Sequence, residues 1–229
     1  MRLSKFLSLS VALSRNQANF FVRKGRLAVD GKVVTDPYFE VSDTNEVVFD
    51  GNPISIAQYR YILLHKPAGY SCSETANPGH RSVLELLGDT AADRYYYFAN
   101  TLAPEVTGLL LLSDDARWTN RMQRKLPNKQ RVYRAEFASA INAAELQQIK
   151  DAWLLVNEQE QGSMIDLQQT DAQTLLLTLG NVSSRKIQEL FTAQNLTPQA
   201  LHLQQFGRLS LGDLKAGEFA EMAEDKANV

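Results

Sequence analysis

Two short segments of the chain carry the side chains whose types and spacing are of chemical interest, residues 65–73 and residues 100–109. In the second segment Glu105 supplies a carboxylate, a group able to act as a nucleophile or as a general base. Ala103, two residues earlier, has no ionisable atom and can do neither. Glu105 is therefore the local candidate for carboxylate chemistry.

Histidine and cysteine chemistry is sparse along the chain. His65, His80 and His202 are scattered, with no ligand pair at helical spacing, so we expect no metal site. Cys72 is the single cysteine, which excludes an intramolecular disulfide and favours a reducing cytoplasm. We expect no cofactor.

Together the two segments resemble the catalytic domain of the bacterial RsuA-type pseudouridine synthases, which isomerise single uridines in ribosomal RNA. The second segment corresponds to a signature of that family. In that family it reads Gly-Arg-Leu-Asp, two further residues and Thr-Gly-Leu, and its aspartate does the chemistry. Leu102 and residues 107–109 are kept here, while Thr101 and Ala103 stand at the arginine and aspartate positions. Deleting a covalent catalyst lowers a rate by on the order of a million-fold. The resemblance therefore implies an impaired member of the family.

Other positions of the family site are matched in part. The family's Lys-Thr-Tyr aligns with residues 131–133, which places a cation at Arg131 and the uracil-stacking tyrosine at Tyr133. The family's Gly-Arg segment, which opens a helix behind the site, aligns in two ways. One alignment places Asn181 at its arginine and the other places Ser183 there. Either way, the resemblance implies that a charged residue of the site has been replaced.

Residues 1–58 are predicted to form a separate domain. Ser14 is a good N-cap for a helix that Gly25 would end. Asp30 and Gly31 form a hairpin-turn dipeptide between two short apolar runs. Two helices followed by a hairpin resemble the small RNA-binding domain named after ribosomal protein S4.

The N-terminal domain is strongly basic. Seven of the chain's 24 Lys and Arg residues precede residue 36, together with one of its 26 Asp and Glu residues. A cluster nearly free of acids is suited to phosphate contacts, whose affinity falls with salt. The predicted RNA-binding residues are these seven and one lysine of the larger domain: Arg2, Lys5, Arg15, Arg23, Lys24, Arg26, Lys32 and Lys66.

A second domain is predicted over residues 59–229. The linker before it is expected to run through Asn52, Pro53 and Gln58. Mixed strand and helix patterns follow, including a helix that starts at Asp114, a strand near residues 163–167 and a frayed tail after Met222. This order predicts an α+β protein, with a small S4-like α/β domain and a larger domain whose mixed, mostly antiparallel sheet is flanked by helices.

The sequence leaves three functions open. The first is a catalytically impaired family member that binds structured RNA, ribosomal by resemblance. The second is an active synthase that uses a relocated carboxylate such as Glu105. The third is a protein-interaction module that keeps the scaffold for its shape. No apolar stretch is long enough to span a membrane, and we expect a cytoplasmic monomer.

Overall fold

The computed structural model describes residues 1–11, 13–56, 59–75, 79–91, 94–159 and 164–227. The chain divides into two compact units, Met1–Gln58 and Tyr59–Val229, which we call the N-terminal unit and the larger unit. Among the described residues, no helix is both long enough and apolar enough to cross a membrane.

Within its described residues, the N-terminal unit consists of two helices and a four-stranded antiparallel sheet with the order β2-β1-β3-β4. Its elements are α1 (Leu3–Ser10), α2 (Arg15–Arg23), β1 (Leu27–Val29), β2 (Lys32–Val34), β3 (Val47–Phe49) and β4 (Asn52–Ile54). Leu3, Leu7 and Val22 of the helices pack against Leu27 and Val47 of the sheet. This small core buries one side of each helix and leaves the other side exposed to solvent.

The predicted local signals of this unit are observed. The Ser14 hydroxyl accepts a hydrogen bond from the Gln17 N–H (3.3 Å), and the Gln17 side chain accepts one from the Ser14 N–H (3.0 Å), which is a capping box. Gly25 ends α2 with φ +68°. Asp30 and Gly31 both have positive φ, as a two-residue hairpin turn of type I′ requires.

The expected linker is wrong at Asn52 and Pro53, which belong to β4. This strand pairs with β3 at the edge of the sheet. An edge strand accepts proline because the missing N–H need not pair with a further strand. Gln58, the last residue of the expected linker, lies outside the described residues.

Within its described residues, the larger unit is built on a nine-stranded mixed sheet in the order β11-β12-β10-β13-β9-β5-β15, with β8 beside β9 and β14 beside β13. Its strands are β5 (Tyr61–Lys66), β6 (Tyr70–Ser71), β7 (Arg81–Ser82), β8 (Tyr97–Phe98), β9 (Thr107–Ser113), β10 (Arg131–Glu136), β11 (Met164–Asp171), β12 (Thr174–Leu179), β13 (Ala200–Phe206), β14 (Leu209–Ser210) and β15 (Phe219–Met222), of which β6 and β7 pair with each other. The helices are α3 (Ala116–Lys125), α4 (Ala143–Gln159) and α5 (Ser184–Ala193), and 3₁₀ turns cover Val83–Ala91 and Leu126–Asn128.

Among the described strands of this sheet, the neighbours pair antiparallel except β9 and β13, which are parallel. Their pairing, which we call the seam, joins Thr107 to His202 and Gly108 to Leu203. Gly108 has φ +121°, and a Cβ there would lie 2.3 Å from the Leu203 carbonyl oxygen, so no larger residue fits. The prediction of a mostly antiparallel mixed sheet is confirmed. The seam joins its two antiparallel blocks.

β9 is buried on both of its faces. Leu109 and Leu111 belong to the main core with Trp118 of α3, whereas Leu110 and Leu112 belong to a second cluster. A strand covered on both sides is typically a continuous apolar run rather than an alternating one. The predicted apolar strand from Leu109 to Leu112 therefore occupies the interior of the larger unit.

The start of α3 differs from the prediction by one residue. Asp115 is the N-cap, and its carboxylate accepts a hydrogen bond from the Arg117 N–H (2.9 Å). Asp114 instead accepts a hydrogen bond from the Arg60 N–H (2.7 Å) on the neighbouring chain segment. The two adjacent aspartates thus have different structural roles.

Two further boundaries differ from the prediction. The strand expected near residues 163–167 runs over Met164–Asp171, and Ser163 lies outside the described residues. The tail after Met222 is not frayed as far as Ala227, which is fully buried in the main core. A single alanine in a polar tail gave no signal of this burial.

Candidate functional site

A cleft with a volume of about 220 Å³ opens in the larger unit beside the seam. It brings together Thr101, Arg131, Tyr133, Asn181 and Ser183, which are all positions singled out in the sequence. No carboxylate is among the described residues that line this cleft. Its volume lies below the usual range of small-molecule pockets, roughly 300–1,000 Å³.

Asn100 closes the edge of β9 next to the cleft. Its side-chain amide donates to the Leu109 carbonyl (3.0 Å) and accepts from the Leu111 N–H (2.9 Å), as a neighbouring strand would. The N–H of Ala99 donates to the Leu111 carbonyl (2.8 Å). These bonds fix the position of Thr101, the next residue, which is exposed in the cleft wall. Sequence reasoning did not identify this role of Asn100.

Lys66, at the end of β5, is completely buried. Its ammonium donates hydrogen bonds to the carbonyl oxygens of Pro67 (3.2 Å), Ala103 (3.1 Å), Pro104 (3.0 Å) and Val106 (2.8 Å). Burial lowers the pKa of Lys66 to about 8, whereas the charges of Cys72 and Glu105 act to raise it. The ammonium holds the turn between β8 and β9.

The prediction that Lys66 binds RNA is therefore wrong. None of its surface is exposed, and an ammonium has only three N–H donors to share among its four carbonyl partners. A phosphate would find no free donor there. A lysine before a proline at a strand end gave no indication of burial in the sequence.

Ala103 lies on the turn that Lys66 holds. Its N–H donates to the Ser184 hydroxyl (3.2 Å), and its carbonyl accepts from the Val106 N–H (3.0 Å). Ser184 is buried at the start of α5, where Ser183 is the N-cap. The turn is therefore tied to α5. Ser184 lines the cleft, whereas Ala103 does not.

Glu105, the candidate carboxylate, is exposed on the same turn and does not line the cleft. Its charge acts instead on the buried ammonium of Lys66, whose pKa it raises. The structure thus does not bring Glu105 together with Arg131 and Tyr133.

Arg131 is held by oxygens of the segment before α5. Its Nη1 donates to the Val182 carbonyl (2.8 Å) and to the Gly180 carbonyl (3.4 Å), and its Nη2 donates to Asn181 Oδ1 (3.3 Å). The guanidinium also lies over the Phe206 ring, 4.7 Å from its centroid. Burial lowers the pKa of Arg131. Among the described residues, no carboxylate forms an ion pair with this cation.

Tyr133 lies in the wall of the cleft with only 2% of its surface exposed. Burial raises its pKa to about 12, although the charge of Arg131 lowers it. The phenol is therefore protonated at neutral pH and cannot act as a base. Little of the ring is available for stacking with a nucleobase in this conformation.

Two histidines meet at the seam. His202 Nδ1 and Thr107 Oγ1 are 2.9 Å apart, and the rings of His65 and His202 are in edge contact at 5.1 Å. Burial is the main cause that lowers the pKa of His202 to about 4, and the neighbouring His65 and Arg134 contribute to the same shift. His202 is therefore neutral at pH 7 and contributes a hydrogen bond to the seam. Among the described residues, no group of three or more side chains is arranged to hold a metal ion.

The seven predicted RNA-binding cations of the N-terminal unit are all exposed. Arg26 differs from the others because it forms an ion pair with Asp50 and lies over the rings of Phe21 and Phe49. Within the described residues, no ion pair includes any of the other six. Arg26 therefore supports the fold of its unit, and the charges of the other six are not neutralised by any carboxylate of the described residues.

Exposed aromatic rings lie among these cations. Phe20 is 55% exposed with the Lys24 ammonium over its ring, and Tyr38 is 59% exposed with the Arg2 guanidinium over its ring. Cations interleaved with exposed aromatic rings suit the phosphates and bases of a nucleic acid. Phe20 and Tyr38 were not predicted as site residues. The spacing of Phe20 and Lys24, four residues apart, was visible in the sequence, whereas Arg2 and Tyr38 are distant in the sequence and meet only in the fold.

The fold and both regions agree with comparisons to known proteins. An S4 domain matches residues 1–48, and an RNA pseudouridylate synthase domain matches residues 60–197. The second match covers more than half of the chain, which therefore belongs to the RNA pseudouridylate synthase family.

Individual relatives are similar over almost the full length. The chain is 30% identical over 228 residues to ribosomal small subunit pseudouridine synthase A of Yersinia pestis, covering 99% of this chain and 96% of the relative. The protein of the same name from Escherichia coli K12 is 29% identical, with 99% and 98% covered. A crystal structure of a pseudouridylate synthase has a TM-score of 0.62 at 24% identity and covers 99% of this chain and 98% of that one. At this identity the structural match shows the shared fold.

Proposed function

We propose that this chain binds structured RNA in the cytoplasm, ribosomal RNA above all, without the isomerase activity of its family. The observation that carries the proposal is the absence of a carboxylate among the described residues that line the cleft. By resemblance, the family's catalytic aspartate corresponds to Ala103, whose methyl group can neither attack nor transfer a proton.

The state of the remaining site residues supports the proposal. Arg131 is held in place by three hydrogen bonds to carbonyl and amide oxygens, which use part of its hydrogen-bonding capacity. The high pKa of Tyr133 keeps its phenol protonated. Thr101, at the position of the family's arginine, is uncharged. The cleft thus keeps the shape of a site and lacks its acid–base groups.

Binding without chemistry rests mainly on phosphate contacts. Holding a uridine out of its stack costs a few kcal/mol, and stacking on an aromatic ring returns roughly 1–3 kcal/mol. Because only 2% of Tyr133 is exposed, it returns little of this in the present conformation. The exposed cations of the N-terminal unit supply contacts that do not require base flipping.

The position of Glu105 argues against an active synthase with a relocated carboxylate. Its side chain is exposed and outside the cleft lining, whereas a general base must lie within hydrogen-bond reach of its proton. Glu105 is the single Asp or Glu residue in the sequence between β8 and β9, so this turn supplies no other carboxylate to replace the aspartate.

The proposal is tested by pseudouridine mapping of small-subunit ribosomal RNA after incubation with the purified chain. Filter binding on the same samples measures how much RNA is retained. The RNA is that on which the named relatives act, and one such relative serves as the positive control. We expect the parent chain to retain RNA and to modify no uridine.

A doubly substituted chain, Ala103→Asp with Thr101→Arg, is mapped in parallel to ask whether the scaffold accepts the family residues. Modification of a defined uridine by the parent would overturn the proposal. In that case Glu105→Gln decides whether the relocated carboxylate is responsible.

A further inference from the structure

The edge of the nine-stranded sheet at β11 differs from the other strand edges of the protein. β11 has eight residues, and within the described part of the chain it pairs with β12 alone. Every other edge strand among the described residues has two to four residues, and β4 also contains Pro53. Short edges and prolines prevent unwanted strand pairing. β11 has neither protection.

The backbone of β11 is open on the side away from β12, which we call the outer edge. Among the described residues, no backbone N–H or carbonyl of residues 165–171 forms a hydrogen bond outside the pairing with β12. Six of the eight residues of the strand are exposed. A row of such groups at a sheet edge is a template on which another strand can pair.

Two β-bulges shape this strand. Ile165 and Thr170 have no Cα partner on β12, because the register shifts at each of them. Asp166 and Asp171 pair with two β12 residues that are four positions apart, so their side chains lie on the same face of the sheet. Ile165 is a large apolar residue with half of its surface exposed. The outer edge therefore combines two carboxylates with an exposed apolar side chain.

The surroundings of this edge are acidic. Residues 142–171, which include α4 and β11, contain six Asp and Glu residues and one Lys. In the fold α4 lies against β11. Within the described residues, neither Asp166 nor Asp171 forms an ion pair. Such a surface repels phosphates and attracts cationic side chains.

Protection against aggregation explains the two aspartates only in part. Like charges on an edge discourage pairing with a second copy of the same strand. They do not discourage a strand of opposite charge, and the exposed side chain of Ile165 favours pairing. The outer edge therefore selects a partner by charge and does not exclude all partners.

We propose that the outer edge of β11 binds an extended, basic segment of a partner protein, which adds a tenth strand to the sheet. Main-chain hydrogen bonds along residues 165–171 supply affinity, and the side chains supply specificity. Lys or Arg residues at alternate positions of the incoming strand lie on one of its faces, where they can meet Asp166 and Asp171. This docking uses neither the cleft nor the cations of the N-terminal unit, so it goes beyond the proposed binding of RNA.

The test uses the full chain and two synthetic peptides of the same length as β11. One peptide alternates Lys and Val, and the other alternates Lys and Pro. The two carry equal charge, but the Lys-Pro peptide cannot extend a sheet because proline has no N–H to donate. Isothermal titration calorimetry measures the affinities, and hydrogen–deuterium exchange measures the protection of residues 165–171 with and without peptide.

Three variants separate charge from strand pairing. Asp166→Asn with Asp171→Asn removes both charges and keeps an oxygen for the hydrogen bonds that these side chains accept. Asp213→Asn with Asp225→Asn is the matched control, because both aspartates are exposed in the same unit and lie outside β11. Ile165→Lys places a cation on the outer edge at a residue without a partner on β12.

We expect the Lys-Val peptide to bind the parent and to slow exchange in residues 165–171, whereas the Lys-Pro peptide should do neither. The asparagine pair in β11 should weaken binding of the Lys-Val peptide about fivefold, because each exposed ion pair contributes little. Ile165→Lys should weaken it about tenfold, because a like charge then faces the peptide directly. The control pair should stay close to the parent.

Four results would overturn the inference. Equal binding of the two peptides would show attraction by charge without strand pairing. An absence of protection in residues 165–171 at about 1 mM Lys-Val peptide would show that the edge does not bind it. The third is an asparagine pair in β11 that binds like the control pair. The fourth is a parent that dimerises without peptide and protects the same residues, which would assign the edge to a second copy of the chain.

Discussion

The cations of the N-terminal unit and the cations of the cleft region are used in different ways. Six of the seven in the N-terminal unit are exposed and, within the described residues, form no ion pair. Lys66 and Arg131 of the larger unit are instead held by carbonyl and amide oxygens of their own chain. The sequence alone does not distinguish the two groups, because both consist of basic residues in segments that resemble domains of RNA-binding or RNA-modifying proteins.

The two groups of cations differ in what surrounds their charges, which is either water or fixed dipoles of the protein. An exposed cation keeps its hydration shell until a phosphate displaces it, so it is available for binding. A buried cation is stable only when fixed dipoles replace that shell, and those dipoles then hold it in place. Lys66 and Arg131 therefore organise the loops around the cleft, and the N-terminal cations are left to meet a ligand.

Replacing Lys66 tests this contrast with the largest expected effect. Lys66→Met keeps the length of the side chain and leaves buried carbonyls without their donor, each costing about 1–3 kcal/mol. We expect the free energy of unfolding, measured by urea denaturation, to fall by about 3 kcal/mol or more. Lys5→Met, at an exposed site, should change it by less than about 0.5 kcal/mol. A loss below about 1 kcal/mol for Lys66→Met would mean that the ammonium does not hold the turn.

Arg131 allows a second comparison along a single strand. Arg131→Gln removes hydrogen bonds to Val182 and Asn181 and should lower the free energy of unfolding by about 2 kcal/mol. Arg134→Gln on the same strand removes an exposed ion pair with Glu136, which contributes about 0–1 kcal/mol. Similar urea midpoints for the two variants would contradict a structural role for Arg131.

Charge reversal in the N-terminal unit should show the opposite pattern. Arg15→Glu with Lys24→Glu is expected to weaken RNA binding about tenfold and to flatten its salt dependence by a slope of about 1.4. The free energy of unfolding should change by less than about 0.5 kcal/mol, because both side chains are exposed. Equal affinity of variant and parent for RNA at low salt would show that the binding surface lies elsewhere.

The pH dependence of stability gives the smallest expected effect. The pKa of His202 is lowered from 6.5 to about 4, so the unfolded chain binds a proton more readily than the folded chain between these values. The stabilising contribution of neutral His202 is complete above pH 6.5 and is lost as the pH falls towards 4. Because the ring is partly exposed, we expect a loss of about 1 kcal/mol.

Urea denaturation at pH 7 and at pH 4.5 measures this effect. His202→Asn should flatten the difference in unfolding free energy between the two pH values, whereas His80→Gln should leave it as in the parent. An unchanged pH dependence in His202→Asn would exclude His202 as its source.

Local signals in the sequence predicted much of the fold. Ser14, Gly25 and the Asp30-Gly31 turn act through bonds to near neighbours, so their types alone define two helix ends and a hairpin. The apolar run of β9 reflects burial on both faces. The kept residues around Ala103, together with the segment at residues 65–73, indicated the family to which the chain belongs.

The organisation of the site was not predictable in the same way. Whether Lys66 is buried depends on carbonyls that the chain brings back from as far as position 106, and one lysine carries no sign of that return. The role of Asn100 depends on a gap at the edge of β9 that exists only after the strands have paired. Such features follow from tertiary geometry rather than from local preference.

The seam has a mechanical consequence for the larger unit. β9 and β13 are joined by two residue pairs, whereas β10 and β12 on one side and β5 and β9 on the other are each joined by six. Under tension, or in a brief thermal opening, a sheet parts first where the fewest bonds must break together. The amides of Thr107 and Leu203 should therefore exchange with deuterium sooner than their neighbours within either block. Each such opening would separate β9 from β13 and would therefore widen the cleft beside the seam.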